Sequence, residues 1–388
     1  VNRALVVVGV PGNRRLELFG AAAAAAGWPE PAVVPWRDLA SGPVELPRGA
    51  LVRVDSPGGD AETERLLRGW KKLPDLYRAE GTGAQHAGFR AALARLEEAA
   101  RDAEALLLQR PGDLVAMCDK RLCHARLAGA GVPVPAALPG PVESYAGLRE
   151  AMREHRLPRV FVKPAHGSSA SGVIALATAS GGRVRAVTSA ELVRGDDGSA
   201  ALYNSLRLRT YTSEADVAAV VDALAPDGLH VEQWLPKAGF AGRTVDLRVV
   251  VTAGQATHVV VRSSSSPLTN LHLGNARGDA EALREAVGPA AWAEAMRTAE
   301  DAAACFDTLH AGVDLLALPG WHTFAVCEVN AFGDLLPGVL HEGRDTYAEQ
   351  LHALSRDLPA GRRPRSAAED PRTHRHTAPA GATFREGP

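Results

Sequence analysis

Residues Leu5 to Val8 form an apolar run that enters the loop Gly9-Val10-Pro11-Gly12, and Leu16 to Ala26 then reads as a helix of strong formers stopped by Gly27. A second strand is expected at Ala32 to Val34 and a third at Leu51 to Val54, where the chain turns at Asp55-Ser56-Pro57-Gly58-Gly59. Strands that alternate with helices argue for a parallel sheet, so the opening part is read as an α/β domain. The Ala- and Leu-rich segment Phe89 to Leu108 predicts a closing helix, and Arg110-Pro111-Gly112 marks a boundary, giving a first domain over residues 1–112.

From Asp113 to about Leu354 strands are denser, the clearest being Val160 to Val162, His230 to Glu232, Leu247 to Thr252, Ala256 to Arg262 and Phe324 to Val329. Helices are expected at Lys120 to Ala130, Glu214 to Leu224 and Ala282 to Thr308. Pro359 to Pro388 is rich in Pro, Arg, Ala and Gly without apolar periodicity, so 355–388 reads as a disordered tail.

With 388 residues the chain has room for two or three domains, and its net charge of -2 supplies no field to gather nucleic acid or an anionic membrane. There is no apolar stretch long enough to span a bilayer and no secretion signal at Val1 to Val8, so a cytoplasmic location is expected. Four cysteines, at positions 118, 123, 305 and 327, make neither a disulfide framework nor a zinc set.

Chemistry concentrates at two places. Val160-Phe-Val-Lys163-Pro leads into Gly167-Ser168-Ser169-Ala-Ser171-Gly172, a strand ending in a lysine beside a loop whose backbone N–H groups can wrap phosphate oxygens. Far downstream, Gly312-Val-Asp314 is followed by Phe324-Ala-Val-Cys-Glu328-Val-Asn330. Glu328 and Asn330 share one face of a strand, and two carboxylates with an amide suit Mg²⁺ or Mn²⁺, which complete their shells with water and phosphate. Arg248 and Arg262, on two further strands, suit forked contacts to phosphate or to a substrate carboxylate.

The order of these motifs resembles the ATP-grasp superfamily over about Asp113 to Tyr347. On that resemblance Lys120 and Lys163 are the two nucleotide lysines, Gly167 to Gly172 the phosphate loop, and Glu232-Gln233-Trp234-Leu235 the adenine hinge. Asp314, Glu328 and Asn330 are then the metal set. Arg248, Arg262 and the stretch holding Asn270 and His272 are similar to the RimK-like branch, and His272 is a candidate base toward the incoming amine. The acidic residue usual after the hinge has no counterpart, so Lys237 is assigned to phosphate or ribose instead, and Arg183 to Thr212 looks like a branch-specific insertion.

The resemblance implies an α+β ATP-grasp fold whose subdomains, about 113–230 and 231–354, clasp ATP and Mg²⁺. It implies an ADP-forming ligase that activates a carboxylate as an acyl phosphate for an amine, on a small molecule or a peptide. A kinase on the same fold and a non-catalytic nucleotide-binding partner are the alternatives. A homodimer is common in the family. Arg53, Asp55 and Ser56, at the C-terminal end of a strand where open α/β sheets place ligands, are candidates for substrate binding.

Overall fold

The computed structural model describes residues 3–167, 170–195, 200–269 and 274–357. The chain opens with β1 (Leu5–Gly9), α1 (Arg14–Ala25), β2 (Ala32–Pro35), α2 (Trp36–Ser41), β3 (Leu51–Val54), α3 (Ala61–Arg68), α4 (Thr82–Asp102) and β4 (Leu106–Leu107). The strands pair in the order β2-β1-β3-β4, all parallel. Alternation along β1 and β3 divides their side chains between two faces. Val6, Val8, Val52 and Val54 pack under Trp36, Phe89, Leu93 and Leu96, whereas Leu5, Val7 and Leu51 pack under Phe19 and Ala23. The helix expected to run to Leu108 stops at Asp102, because Glu104 turns the chain with φ 50° and Leu106 then pairs with Leu51.

Next come α5 (Pro111–Met117), α6 (Lys120–Gly129), α7 (Tyr145–Glu154), β5 (Arg159–Pro164), β6 (Ile174–Thr178), β7 (Val184–Arg194), β8 (Ala200–Tyr211), α8 (Glu214–Leu224) and β9 (Leu229–Gln233). The strands form an antiparallel sheet, β8-β7-β6-β5-β9, with α7 and α8 over one face. The segment expected to be an insertion, Arg183 to Thr212, supplies two of its five strands. Val160 and Val162 of β5 point into the helix-covered core, so Phe161 and Lys163 point the other way.

The third sheet holds β10 (Gly239–Phe240), β11 (Arg243–Thr252), β12 (Gln255–Ser264), β13 (Ala276–Gly278), β14 (His310–Ala317) and β15 (Phe324–Asn330), with α9 (Ala280–Ala303) between β13 and β14. Its order is β13-β12-β11-β14-β15, with β10 beside β11. Val245, Leu247, Val249, Val313 and Leu315 pack with α9 residues such as Leu283 and Ala299. Their neighbours in sequence, Asp246, Arg248 and Asp314, are therefore on the opposite face, toward the second sheet. Because β9 pairs with β5 through Gln233, the division between the two sheets falls after Gln233 rather than at residue 230.

The last element, α10 (Thr346–Asp357), returns to the first sheet, where Tyr347 meets Phe19 edge-on and Leu351 is buried. It carries the helix past the expected start of the tail at residue 355, and residues 358–388 lie outside the described residues. Among the described residues no helix is long and apolar enough to cross a membrane.

Candidate active site

The cleft between the second and third sheets is lined by side chains from both. Lys163 reaches it from β5, Glu232 from β9, Lys120 from the start of α6, and Asp246, Arg262, Asp314 and Glu328 from the third sheet. Phe161, Val173, Leu268 and Leu316 line it with apolar surface.

On the second-sheet side, Lys163 Nζ lies 2.5 Å from Glu232 Oε1, and His230 Nε2 lies 3.0 Å from Glu232 Oε2. Burial alone would push the Glu232 carboxyl up, but Lys163 and His230 outweigh it and leave it at about 2. Burial acts to lower the Lys163 pKa, and Glu232 overcomes that, so the ammonium is held above its ordinary range. Lys120 is placed by the N-cap of its helix, where Asp119 accepts from Arg121 N at 2.9 Å, and by its own N–H on Ala165 O at 2.8 Å. Its Nζ donates to Gly167 O and stands 3.5 Å from Glu328 Oε2.

Glycine is needed at position 172 for space and conformation. Gly172 has φ +66°, and a Cβ there would fall 2.9 Å from Pro164 Cγ. Ser189 Oγ donates to Ala170 O at 2.5 Å and holds the loop from below. Gly167 lines the cleft and Ser171 is half-buried, whereas Ser168 and Ser169 lie outside the described residues.

At the end of β9, Gln233 N donates to Ala136 O at 2.7 Å and Trp234 N to Arg159 O at 3.1 Å. Trp234 packs on Phe161 with ring centroids 5.4 Å apart and carries the Arg159 guanidinium 4.0 Å above its ring. Leu235 follows, half-buried.

Strand register assembles the third-sheet side. Arg248 stands directly opposite Asp314, Asp314 opposite Glu328, and Asp246 opposite Arg262. Arg248 Nε donates to Asp314 Oδ1, Arg262 Nη1 donates to Asp314 Oδ2 at 3.1 Å, and Arg262 Nε donates to Asp246 Oδ1 at 2.6 Å. Burial would raise the Asp314 carboxyl, but the two guanidiniums hold it far below the usual carboxylate range. Lys237 Nζ is 2.9 Å from Asp246 Oδ2 and donates to Thr269 Oγ1 at 2.7 Å, and Thr269 donates in turn to Asp246. Asn330 Nδ2 donates to Gly312 O at 3.2 Å, which leaves its Oδ1 as the unused acceptor.

The donor set fits a hard divalent cation. Asp314 and Glu328 offer oxygen from adjacent strands, where opposite Cβ atoms lie about 5 Å apart, and Asn330 adds an amide oxygen. Among the described residues no group of three or more His, Cys, Asp and Glu is placed to hold a metal ion.

Two features escaped the sequence reading. The cleft contains a carboxylate to which the sequence reading gave no role, Asp246, supplied by β11 and bonded to Lys237. Its signal was present, since Asp246 and Arg248 are two residues apart on one strand and must share a face. The second is Cys327, which also lines the cleft. Asp314 pairs with Glu328 but Leu315 pairs with Val326, so Cys327 is an extra, bulged residue. Burial pushes its thiol up to about 12.

Arg53, Asp55 and Ser56 are not in this cleft. Arg53 and Asp55 are each 1% exposed. Arg53 bonds Asp55 at 3.0 Å and Asp334 at 2.6 Å, and its guanidinium lies 4.7 Å from the Phe19 ring centroid. Ser56 N donates to Asp55 Oδ1 at 2.8 Å. These groups are spent on fastening the first sheet to the turn after β15, and Arg53 and Asp55 have no exposed edge for a substrate. Asn270 and His272 lie outside the described residues.

The same arrangement of sheets occurs in solved structures. D-cycloserine synthetase DcsG superposes with a TM-score of 0.54 at 18% identity, over 90% of this chain and 98% of that one. The ATP-grasp ligase PsnB, complexed with a minimal precursor, superposes with a TM-score of 0.50 at 17% identity, over 92% of this chain and 99% of that one. This chain has the ATP-grasp fold. A third such structure, the macrocyclase MdnC bound with precursor peptide MdnA from Microcystis aeruginosa MRC, gives a TM-score of 0.51 at 12% identity, over 90% of this chain and 99% of that one. No protein-family model matches the sequence, and no curated protein matches it. In ATP-grasp terms, the second and third sheets are the two lobes and the charged cleft is the space they enclose.

Proposed function

We propose that the protein is an ADP-forming ligase that uses ATP to activate a carboxylate as an acyl phosphate, which an amine then captures to give an amide. The observation that carries the reading is the register that sets Arg248, Asp314 and Glu328 in one row across three strands, facing Lys120 and Lys163 on the other lobe. Five cations, Lys120, Lys163, Lys237, Arg248 and Arg262, meet four carboxylates, Glu232, Asp246, Asp314 and Glu328. That is a pre-organised electrostatic site with a positive surplus, as transfer of a phosphoryl group requires.

In this reading the adenine lies between the Glu232 to Leu235 hinge and the apolar wall of Phe161, Val173 and Leu316. Lys120, Lys163 and the loop Gly167 to Gly172 hold the phosphates. Asp314, Glu328 and Asn330 would hold Mg²⁺ or Mn²⁺, which neutralises phosphate charge when bound. Arg248 and Arg262 bind the transferring phosphoryl group or the substrate carboxylate. A carboxylate oxygen attacks the γ-phosphorus, the bond to the bridging oxygen breaks, and ADP leaves. Closing the lobes excludes water so that the amine attacks the acyl carbon and phosphate departs. His272 is proposed to take the proton from that amine.

The Asn270 to His272 stretch and the paired arginines support the reading that the chain is of the RimK-like branch. Two neighbours of the same fold are complexed with precursor peptides and one is named for a small molecule. On that support we assign the substrate as an amino acid or peptide, with a homodimer as the working assembly.

The test is incubation of the protein with Mg-ATP and small-molecule and peptide fractions, followed by mass comparison against Glu328→Gln. A condensed product formed only by the unaltered protein, with ADP released, supports the ligase. A product heavier by a phosphoryl group would mean a kinase, and nucleotide binding with no product in any fraction would mean a non-catalytic partner.

A further inference from the structure

On the back of the second sheet, away from the cleft, α7 ends against the corner where β5 begins and β6 stops. An open basin of about 290 Å³ lies there, lined by Arg149, Met152, Arg153, Arg156, Pro158 and Thr178. Three of its six lining residues are arginines and none is acidic.

The arginines differ in how far they are already neutralised. Arg149 Nη1 donates to Glu214 Oε1 at 2.8 Å and to the Tyr145 hydroxyl at 2.9 Å, so most of its charge is answered from α8. Arg153 spends only Nε, on Arg149 O at 3.2 Å, and the Arg156 guanidinium bonds no described residue. Thr178 Oγ1 donates to Pro158 O at 3.2 Å, so the hydroxyl does not compensate them. Two positive charges thus share one basin with no counter-charge among the described residues.

The backbone supplies an independent sign that the Arg156 side chain is wanted there. Helix α7 closes with His155 as its cap, and Arg156 follows in the left-handed region at φ 54°. Leu157 N then donates to Met152 O at 2.9 Å, as in the helix endings where glycine ordinarily takes the left-handed place. An arginine at that place strains the backbone where glycine would not. Attraction of cations to helix carbonyl ends accounts for a basic residue in the last turn, but not for a strained second one turned on the same basin.

We propose that this basin is a binding site for a doubly charged oxyanion of the phosphate type. Two guanidiniums with no ion-pair partner among the described residues match two negative charges, and their planar forks match phosphate oxygens in pairs. The position couples the basin to the cleft. Strand β5 leaves the basin at Arg159, which sits on Trp234 of the hinge, and ends at Lys163 in the nucleotide space. An anion bound here steadies the start of the strand whose far end holds Lys163, so the site is regulatory rather than catalytic.

The experiment is calorimetric titration of the full chain with inorganic pyrophosphate and, separately, with O-phosphoserine. Ionic strength is held with potassium chloride, and the cleft is kept filled with a non-hydrolysable ATP analogue and Mg²⁺. The comparison is with Arg153→Gln/Arg156→Gln and with Arg156→Gly. One equivalent should bind the unaltered chain, and affinity should fall at least tenfold in the double variant. Arg156→Gly should lose affinity while melting at a higher temperature, a combination that a purely structural arginine does not produce. Tighter binding of phosphoserine would point to a phosphate monoester and tighter binding of pyrophosphate to a free inorganic anion, and either supports the site. Absence of binding to the unaltered chain, or equal affinity in the variants, overturns it.

Discussion

Asp314 and Glu328 face each other across β14 and β15, and they do so because Cys327 is an extra residue in the strand that carries Glu328. Without the bulge a strict two-residue alternation would put Cys327 rather than Glu328 opposite Leu315's neighbour, and the two carboxylates would not share the cleft. The bulge therefore lets Val326 face the core and Glu328 the cleft although the two are only two residues apart. Deleting Cys327 removes the bulge but leaves Glu328 directly after Val326 and still opposite Asp314, so product formation should persist; its loss with nucleotide still bound, measured with a fluorescent ATP analogue, would show that the bulge itself shapes the proposed cation site.

Replacing Glu328 by Gln keeps the shape and removes one cation-binding charge. The side chain is 24% exposed and its neighbour is Lys120 at 3.5 Å, so folding should be little affected. Turnover should fall about a hundredfold or more. A melting temperature near that of the unaltered protein together with unchanged turnover would remove Glu328 from the proposed machinery.

Asp246 is the hub of the third-sheet charges, bonded to Arg262 at 2.6 Å and to Lys237 at 2.9 Å. Asp246→Ala leaves two cations without their carboxylate in a buried place, which costs about 3–5 kcal/mol. Asp246→Asn retains a partial acceptor and should cost less, while weakening nucleotide binding because Lys237 and Arg262 lose their fixed positions. Urea denaturation and nucleotide titration on the same two variants separate the effects.

Gly312 and Gly333 touch so closely that a Cβ on Gly333 would lie 2.6 Å from Gly312 Cα and 3.1 Å from Arg248 Nη1. Gly333→Ala should displace the turn after Asn330, cost about 1–3 kcal/mol by overpacking, and shift Arg248 away from Asp314. The expected signature is a loss of turnover larger than the loss of stability implies.

Stability should decline on mild acidification. Burial outweighs Asp334 and lowers the His310 pKa to about 4, and burial with the stacked His86 does the same for His166. A histidine whose folded pKa is depressed contributes fully above its unfolded value of about 6.5, and that contribution is lost between about 6.5 and 4 as the unfolded chain takes up the proton first. Each such group gives a slope of about 1.4 kcal/mol per pH unit in that window. Glu232, held at about 2, adds a further loss only below about pH 4.3, the unfolded value for a glutamate. Urea midpoints between pH 8 and 4 should fall accordingly, and His310→Gln should flatten the upper part of the curve; an identical slope in that variant would assign the protons elsewhere.

Much of the architecture could be read from the chain. The apolar runs at Leu5 to Val8 and Leu51 to Val54 became β1 and β3 of a parallel sheet, and α6 and α8 fell where expected. Lys163, Glu232 and Asp314 share a cleft because period-two alternation decides their faces once the apolar faces are assigned, whereas Glu328 reaches it only through the bulge at Cys327. Boundaries were less legible: two residues of strand, Leu106 and Leu107, were hidden at the end of an Ala- and Leu-rich helix, since their only cause is pairing with β3.

Which residues lie on the cleft was thus determined by the sequence itself, through local propensity and alternation. Which charge answers which was decided only by the tertiary structure. Asp246 serves Lys237 and Arg262, whereas Arg53 and Asp55, also candidates for ligand binding in the sequence, are consumed by each other and, for Arg53, by Asp334 nearly three hundred residues along the chain. An ionisable side chain takes its role from burial and from the opposite charges within a few ångströms, and both are set by contacts between segments distant in sequence.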